Sequence, residues 1–274
     1  MMMTSVPPDI QLMLVRDPKE TVQAICALEN PFQLQDFISS YEKIRKLEKS
    51  IHIKNAHTHF YSLRLFGFIE QVEGRPKGVY QKSETAIEIC KLLPSNEKKA
   101  ARKIRNLLLE NVEKGPLFQD FEQFAKTKKE FTMDEVKNRY VIWRTIPSLI
   151  EWSVFGKIID IDRNQNKMWY LGNDEGKDIP VKDFSDHFFK VFYMMKSETA
   201  FGVEIYYADI SKIRTKMCLS LDWSNGKWDK HMTKLLNSPK GKQLRLYGST
   251  PSTFETKQTF SYDGTSYAYI GIND

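Results

Sequence analysis

Between Ile51 and Ser83 the chain reads IHIKNAHTHFYSLRLFGFIEQVEGRPKGVYQKS, with Lys54, Asn55, His57, Thr58 and Arg64 in close succession. Lysine and arginine neutralise phosphate oxygens, threonine and histidine hydrogen-bond to them, and asparagine and arginine match base edges bidentately. This is binding chemistry. Motifs for nucleotide handling or bond cleavage do not occur: there is no GxxxxGK[ST], no GxGxxG after a strand, no HExxH, no GxSxG and no zinc-deaminase spacing. His52, His57 and His59 lie close together, but two ligands on one helical face need a spacing of three or four residues, and His57 and His59 are two apart. Asp160, Asp162 and Asp174 lack the following lysine of a nuclease carboxylate cluster and read as solvated acids of a hairpin. The chain is therefore not expected to be an enzyme, to bind a metal or to need a cofactor.

The elements that would position these residues can be read around them. Tyr61, Leu65 and Phe66 recur at helical spacing and are expected on the packed side of a helix, leaving the polar residues outward. Gly67 stands where a helix C-cap glycine belongs. Phe68, Ile69 and Val72 begin an extended run, GRPKG makes a basic turn, and Val79 and Tyr80 return. Ahead of this lie two amphipathic helices. One starts at Asp17-Pro18, carries Val22, Ile25, Cys26 and Leu28, and ends at Asn30-Pro31; the other bears Leu34, Phe37, Ile38, Tyr41 and Ile44. Behind it, Ser83 opens a closing helix that ends at Pro94.

Beyond Pro94 the basic run Lys98, Lys99, Arg102, Lys103 and Arg105 opens a long helix, either as a solvated face or as a phosphate contact. Phe118, Phe121 and Phe124 then recur at helical spacing among acids rather than bases, the pattern of a core rather than a base-stacking platform. A helix starts at Thr132 with Asp134 and Glu135 in its first turn. After it the first pattern returns: Ile146, Leu149, Ile150 and Trp152 on a helix, an end at Phe155-Gly156, a strand from Lys157, the turn DRNQN, and a return strand from Met168 to Leu171. LFGFIEQVEGRPKGVYQK and VFGKIIDIDRNQNKMWYL line up by residue type. A third run follows Gly172: the aromatic helix FSDHFFKVFYMMKSE, expected to be core, the strand VEIYYA, a helix capped by Asp209, a helix from about Gly226 to Asn237, the strand QLRLYGS, a loop, and a hairpin turning on Asp263-Gly264.

Helix, helix, helix and basic hairpin, seen once in full and echoed twice, resembles the winged helix-turn-helix proteins. The resemblance implies an α+β, mainly helical fold of tandem winged-helix domains with small β-hairpin wings: an arm over 1–17, a first domain over 18–94, a second over 95–172 with a long linking helix, and a winged-helix-like third over 173–274. It implies double-stranded DNA as partner, with the third helix of a unit in the major groove and the wing on the flanking backbone. Carried onto this chain, Lys54, Asn55, His57, Thr58 and Arg64 become the first recognition helix and Arg75 and Lys77 its wing. Arg144, Thr145 and Ser148, with Arg163 and Asn164 in the wing, serve the second unit, and Lys227, Lys230, His231 and Lys234 the third. Pro147 departs from the pattern and is expected to break or delay the second unit's helix.

Three readings of such an array stand side by side: a transcription regulator, the DNA-recognition part of a restriction or defence nuclease whose catalytic site lies elsewhere, and a protein-interaction scaffold. A protein partner or a homodimer is compatible with the first and third.

Composition bounds these readings without choosing. The 274 residues carry a formal net charge of +6 and a sequence pI near 9.0, which suits nucleic acid but does not demand it. No run approaches the roughly 18 apolar residues of a membrane span, and the N-terminal stretch lacks the features of a signal peptide. Cys26, Cys90 and Cys218 are odd in number and far apart, so three reduced thiols are expected, and with them a cytoplasmic location, associated with the nucleoid in a prokaryote.

Overall fold

In the computed structural model, which describes residues 17–45, 53–140, 145–163, 165–172, 176–195, 207–248 and 259–272, Asp17-Pro18 opens α1 (Pro18–Cys26). Proline is suited to that first turn because no helical partner exists there for an N–H. A two-residue strand, β1 (Phe32–Gln33), follows. Then come α2 (Leu34–Arg45) and α3 (Ile53–Leu65). Gly67 ends α3 at φ 73°, the left-handed geometry glycine adopts without a Cβ penalty. Strands β2 (Ile69–Gln71) and β3 (Val79–Lys82) form the expected hairpin around the GRPKG turn. The Ser83 hydroxyl accepts from the Ala86 N–H at 3.2 Å and starts α4 (Glu84–Leu92).

Asn96 caps α5 (Glu97–Leu109). The chain continues through α6 (Gly115–Lys128), β4 (Glu130–Thr132), α7 (Met133–Arg139), α8 (Ile146–Phe155), β5 (Ile159–Asp162) and β6 (Lys167–Tyr170). Pro147 lies in the first turn of α8, so it sets where the helix begins and interrupts nothing. Next are α9 (Val181–Met195), β7 (Tyr207–Asp209), α10 (Ile210–Leu221) and α11 (Asn225–Leu236). A 3-10 turn at Pro239–Gln243 leads into β8 (Leu244–Tyr247), β9 (Phe260–Tyr262), β10 (Thr265–Tyr267) and β11 (Tyr269–Ile272). Asp263 and Gly264 turn β9 into β10 with φ of 49° and 73°, as their sequence anticipates. The chain is α+β and mainly helical.

One topology recurs along the chain. Helix, short strand, helix, helix, strand, strand occurs as α1-β1-α2-α3-β2-β3, as α6-β4-α7-α8-β5-β6, and as α9-β7-α10-α11-β8-β11 with the β9–β10 hairpin set between its last two strands. In each case the last strand lies between the first two, giving sheet orders β1–β3–β2, β4–β6–β5 and β7–β11–β8. The short first strands of the first two sets, β1 and β4, are absent from the sequence reading, whereas the third, β7, overlaps the expected strand VEIYYA. Each completes a sheet that the hairpin alone would leave two-stranded and marginal.

Packing groups the chain differently from chain order. One compact unit holds Met1–Lys128 with Asp134–Ile159, and the other Lys129–Met133 with Asp160–Asp274. In the first, Trp152 is buried with its ring 4.8 Å from Phe66 and 5.7 Å from Phe68, and Phe118 meets Phe66 edge-on at 5.7 Å. A Cβ at Gly156 would come within 3.3 Å of a Leu108 methyl and of the Trp152 carbonyl, so glycine there permits the close approach of α5. In the second unit Trp169, Trp223 and Trp228 share a core with Phe184, Phe188, Phe192 and Met217. The aromatic helix α9 thus buries Phe184, Phe188 and Phe192, and α6 likewise buries Phe118, Phe121 and Phe124.

Two expectations are corrected here. Cys26 and Cys90 are not reduced thiols: they form a disulfide joining the end of α1 to α4, with Cα atoms 5.1 Å apart. Cys218 alone remains a buried free thiol. The inference to a reducing compartment loses its premise, since paired cysteines belong mostly to oxidising surroundings. Tyr61 is not on the packed side of α3 but 46% exposed, because the buried arc runs through Ala56, His59, Phe60 and Leu63.

Candidate nucleic-acid interface

The buried arc of α3 decides which residues the first repeat offers. His57, Tyr61 and Arg64 are spaced by four and three residues and form the exposed stripe. Lys54 and Asn55 lie in the first turn of α3, and their side chains are outside the described residues. Thr58 is half-buried and already engaged. Arg64 holds its guanidinium over the Tyr80 ring, 5.4 Å from the centroid, and Tyr80 is itself fixed edge-on against Phe60 at 4.8 Å. A stacked guanidinium is pre-oriented and keeps its N–H edge for an acceptor. At the hairpin tip Arg75, Pro76 and Lys77 are all exposed.

Not every cation near this surface belongs to it. Lys82 turns inward and donates to the carbonyls of Ile25, at 3.3 Å, and Leu28, satisfying the C-terminal end of α1. Burial pulls its pKa below the usual lysine range. On α5, Arg105 is buried and paired with Glu122 of α6, and Lys103 is paired with Glu88 of α4. Lys98 and Arg102 also have partners. Two of the basic residues of α5, Lys103 and Arg105, are thus tied to neighbouring helices. His59 is buried with its ring 4.9 Å from Tyr41, whereas His57 faces out, so the two imidazoles point to different surroundings.

The second repeat offers little of what its residue types suggest. Arg144 and Asn164 lie outside the described residues. Thr145 and Ser148 are buried and face the interior. Arg163 is exposed at the hairpin tip, though not without a partner. Asp160 and Asp162, expected to be solvated, are instead 7% and 0% exposed.

In the third repeat Lys227 is anchored in the fold. Its ammonium pairs with Asp178 at 2.9 Å, donates to the Gly176 carbonyl and lies 4.9 Å from the Trp223 ring centroid. The same ammonium holds the Asp178 carboxyl below its ordinary pKa. His231 is buried against Trp223 and hydrogen-bonds the Lys227 carbonyl at 3.1 Å. Lys230 and Lys234 remain exposed on α11.

Tyr61 and the Arg64–Tyr80 stack are the parts of the surface that residue-type reasoning missed. The spacing of the small and apolar residues Ala56, Phe60 and Leu63 was the available signal. Among the described residues no helix is long and apolar enough to cross a membrane. No protein-family model matches this chain, and no curated protein is significantly similar to it.

Proposed function

We propose that the protein binds double-stranded DNA through winged-helix repeats, with the first repeat as its principal contact. The observation that carries this reading is the first repeat's architecture together with its surface. The helix–strand–helix–helix–hairpin order and the β1–β3–β2 sheet support reading this repeat as a winged helix, and His57, Tyr61 and Arg64 line the solvent face of its third helix. Arg75 and Lys77 stand at the hairpin tip, where a wing meets a phosphate backbone. Lys54 and Asn55 of the same helix complete the set. Lys230 and Lys234 are secondary contacts, and Lys227, Thr145 and Ser148 serve the fold. Such a role suits either a transcription regulator or the recognition part of a nuclease.

Fluorescence anisotropy with random duplex DNA over a salt series tests the reading. Wild-type affinity should fall steeply as salt rises, and changing Arg64, Arg75 and Lys77 together to alanine should flatten the log–log slope by about three. A preferred site that is a dyad bound by a dimer favours the regulator, and an asymmetric site bound by a monomer favours the recognition part. Absence of binding at low salt rejects the proposal and leaves a protein-interaction scaffold, a reading that the internal engagement of Thr145 and Lys227 favours for the later repeats.

A further inference from the structure

The first and second hairpins match in sequence pattern but differ in what they touch. In the first, Glu70, Gln71 and the tip are exposed. In the second, β5 is buried along its whole length, and its two carboxylates reach the third repeat. Asp160 accepts a hydrogen bond from the Asn225 backbone N–H at 2.7 Å, in the first turn of α11. The Asn225 side-chain amide returns to the Ile161 carbonyl at 3.1 Å and to Asp160 at 3.4 Å. Asp162 accepts from the Thr215 hydroxyl of α10 and from the backbone and side chain of Gln165, at 3.1 and 2.8 Å. The Gln165 amide also reaches the Ser211 carbonyl of α10 at 3.3 Å. On the return strand the Trp169 indole donates to the Trp223 carbonyl at 3.0 Å.

An apolar pair would bury more cheaply here. Two carboxylates taken out of water cost several kcal/mol unless partnered, and what partnered polar groups add is directional specificity more than net stability. Asp160 also supplies negative charge where the α11 dipole is positive, so the place a phosphate would take at that helix end is already filled.

We propose that Asp160 and Asp162 are positioning residues: they clamp the second hairpin onto α10 and α11, making it an internal bracket instead of a nucleic-acid wing. The bracket holds the third repeat at a constant offset from that hairpin. Lys230 and Lys234 on α11 then keep a fixed place relative to that hairpin when they meet a duplex. The clamp stands on its own geometry, whereas its consequence for nucleic acid rests on the proposed duplex binding.

Two measurements on the full chain test this. Hydrogen exchange without DNA compares wild type with the Asp160→Ala/Asp162→Ala double variant. Amides of the second hairpin and of the first turn of α11 should exchange about tenfold faster, with α1 to α4 unchanged. Asp160→Asn and Asp162→Asn keep an acceptor oxygen and should recover most of the protection; they carry the test if the double variant does not fold. Anisotropy then compares random duplexes of about one and about three helical turns. Wild type should gain at least fivefold in affinity with length, the double variant should lose that gain while binding the short duplex equally, and the Asn variants should restore it. Unchanged exchange overturns the clamp. Loosened exchange with the length gain intact, or no gain in wild type, overturns the positioning role. If no duplex of either length binds, it is the DNA reading that fails, and the exchange data still decide the clamp.

Discussion

His59 Nδ1 lies 2.9 Å from the Thr21 hydroxyl, and that hydroxyl donates its proton to the Asp17 carbonyl at 2.7 Å. Nδ1 must therefore be the donor to Thr21, so the ring is the neutral Nδ1–H tautomer. Burial, aided by Arg45 and opposed by Asp17, pulls its pKa down from 6.5 to about 4. The unfolded chain takes up this proton near pH 6.5 and the folded one only near pH 4. The neutral ring thus favours folding fully above pH 6.5, and the advantage is lost as pH falls between these values, to a total on the order of 3 kcal/mol. Urea unfolding at a series of pH values should show that decline, and His59→Gln should flatten it. A His59→Gln variant with the wild-type slope would place the titration elsewhere.

The Cys26–Cys90 bond closes a loop of sequence separation 64 that contains α2, α3 and the first hairpin. Constraining a loop of that length removes unfolded-state entropy worth about 4 kcal/mol in the chain-entropy model. The Cys26→Ser/Cys90→Ser variant should lose stability of that order relative to oxidised wild type and match wild type treated with dithiothreitol. Thiol titration of the denatured, unreduced protein should find one free thiol, that of Cys218; three would mean that the bond does not form.

Arg105 and Glu122 form an ion pair whose side chains are 7% and 19% exposed. Arginine stays charged at any pH that proteins tolerate, so removing its partner leaves a cation in the interior. Glu122→Ala should cost about 3 kcal/mol, and Arg105→Ala less, because the carboxylate left behind is nearer to solvent. Replacing both with apolar residues should recover part of the loss. Denaturant unfolding of the three variants checks the order.

Much of this architecture is legible in the sequence because its signals are local. Ser83, Asp209 and Gly67 announce helix ends through hydrogen bonds or backbone geometry within a few residues, and Asp263-Gly264 announces a turn in the same way. The recurrence survives for the same reason, since helix–glycine–strand patterns repeat by residue type. β1 and β4 are invisible because two or three residues cannot show an alternation. They become strands only by pairing with β3 and β6. Asp160 and Asp162 read as solvated because charge beside a turn usually is. Their burial is decided by Thr215 and Asn225, more than fifty residues further along the chain. Which cysteines meet, and which lysine of α11 folds back, are likewise long-range outcomes. The candidate interface was thus legible in residue types and only half legible in orientation.

Lys227 and the pair Arg75 and Lys77 separate the two roles that a surface lysine or arginine can have. Lys227 is held by Asp178, the Gly176 carbonyl and the Trp223 ring, whereas Arg75 and Lys77 stand exposed on a turn. Lys227→Ala should therefore lower unfolding stability by about 1–2 kcal/mol, the combined scale of a sheltered cation–π contact and an ion pair, and leave the salt slope of DNA binding unchanged. Arg75→Ala/Lys77→Ala should shift stability by less than about 0.5 kcal/mol and reduce the slope by about two. Parallel urea unfolding and anisotropy on both variants decide it. The reverse outcome, a stable Lys227→Ala protein with a shallow slope, would move the duplex contact from the first hairpin to α11.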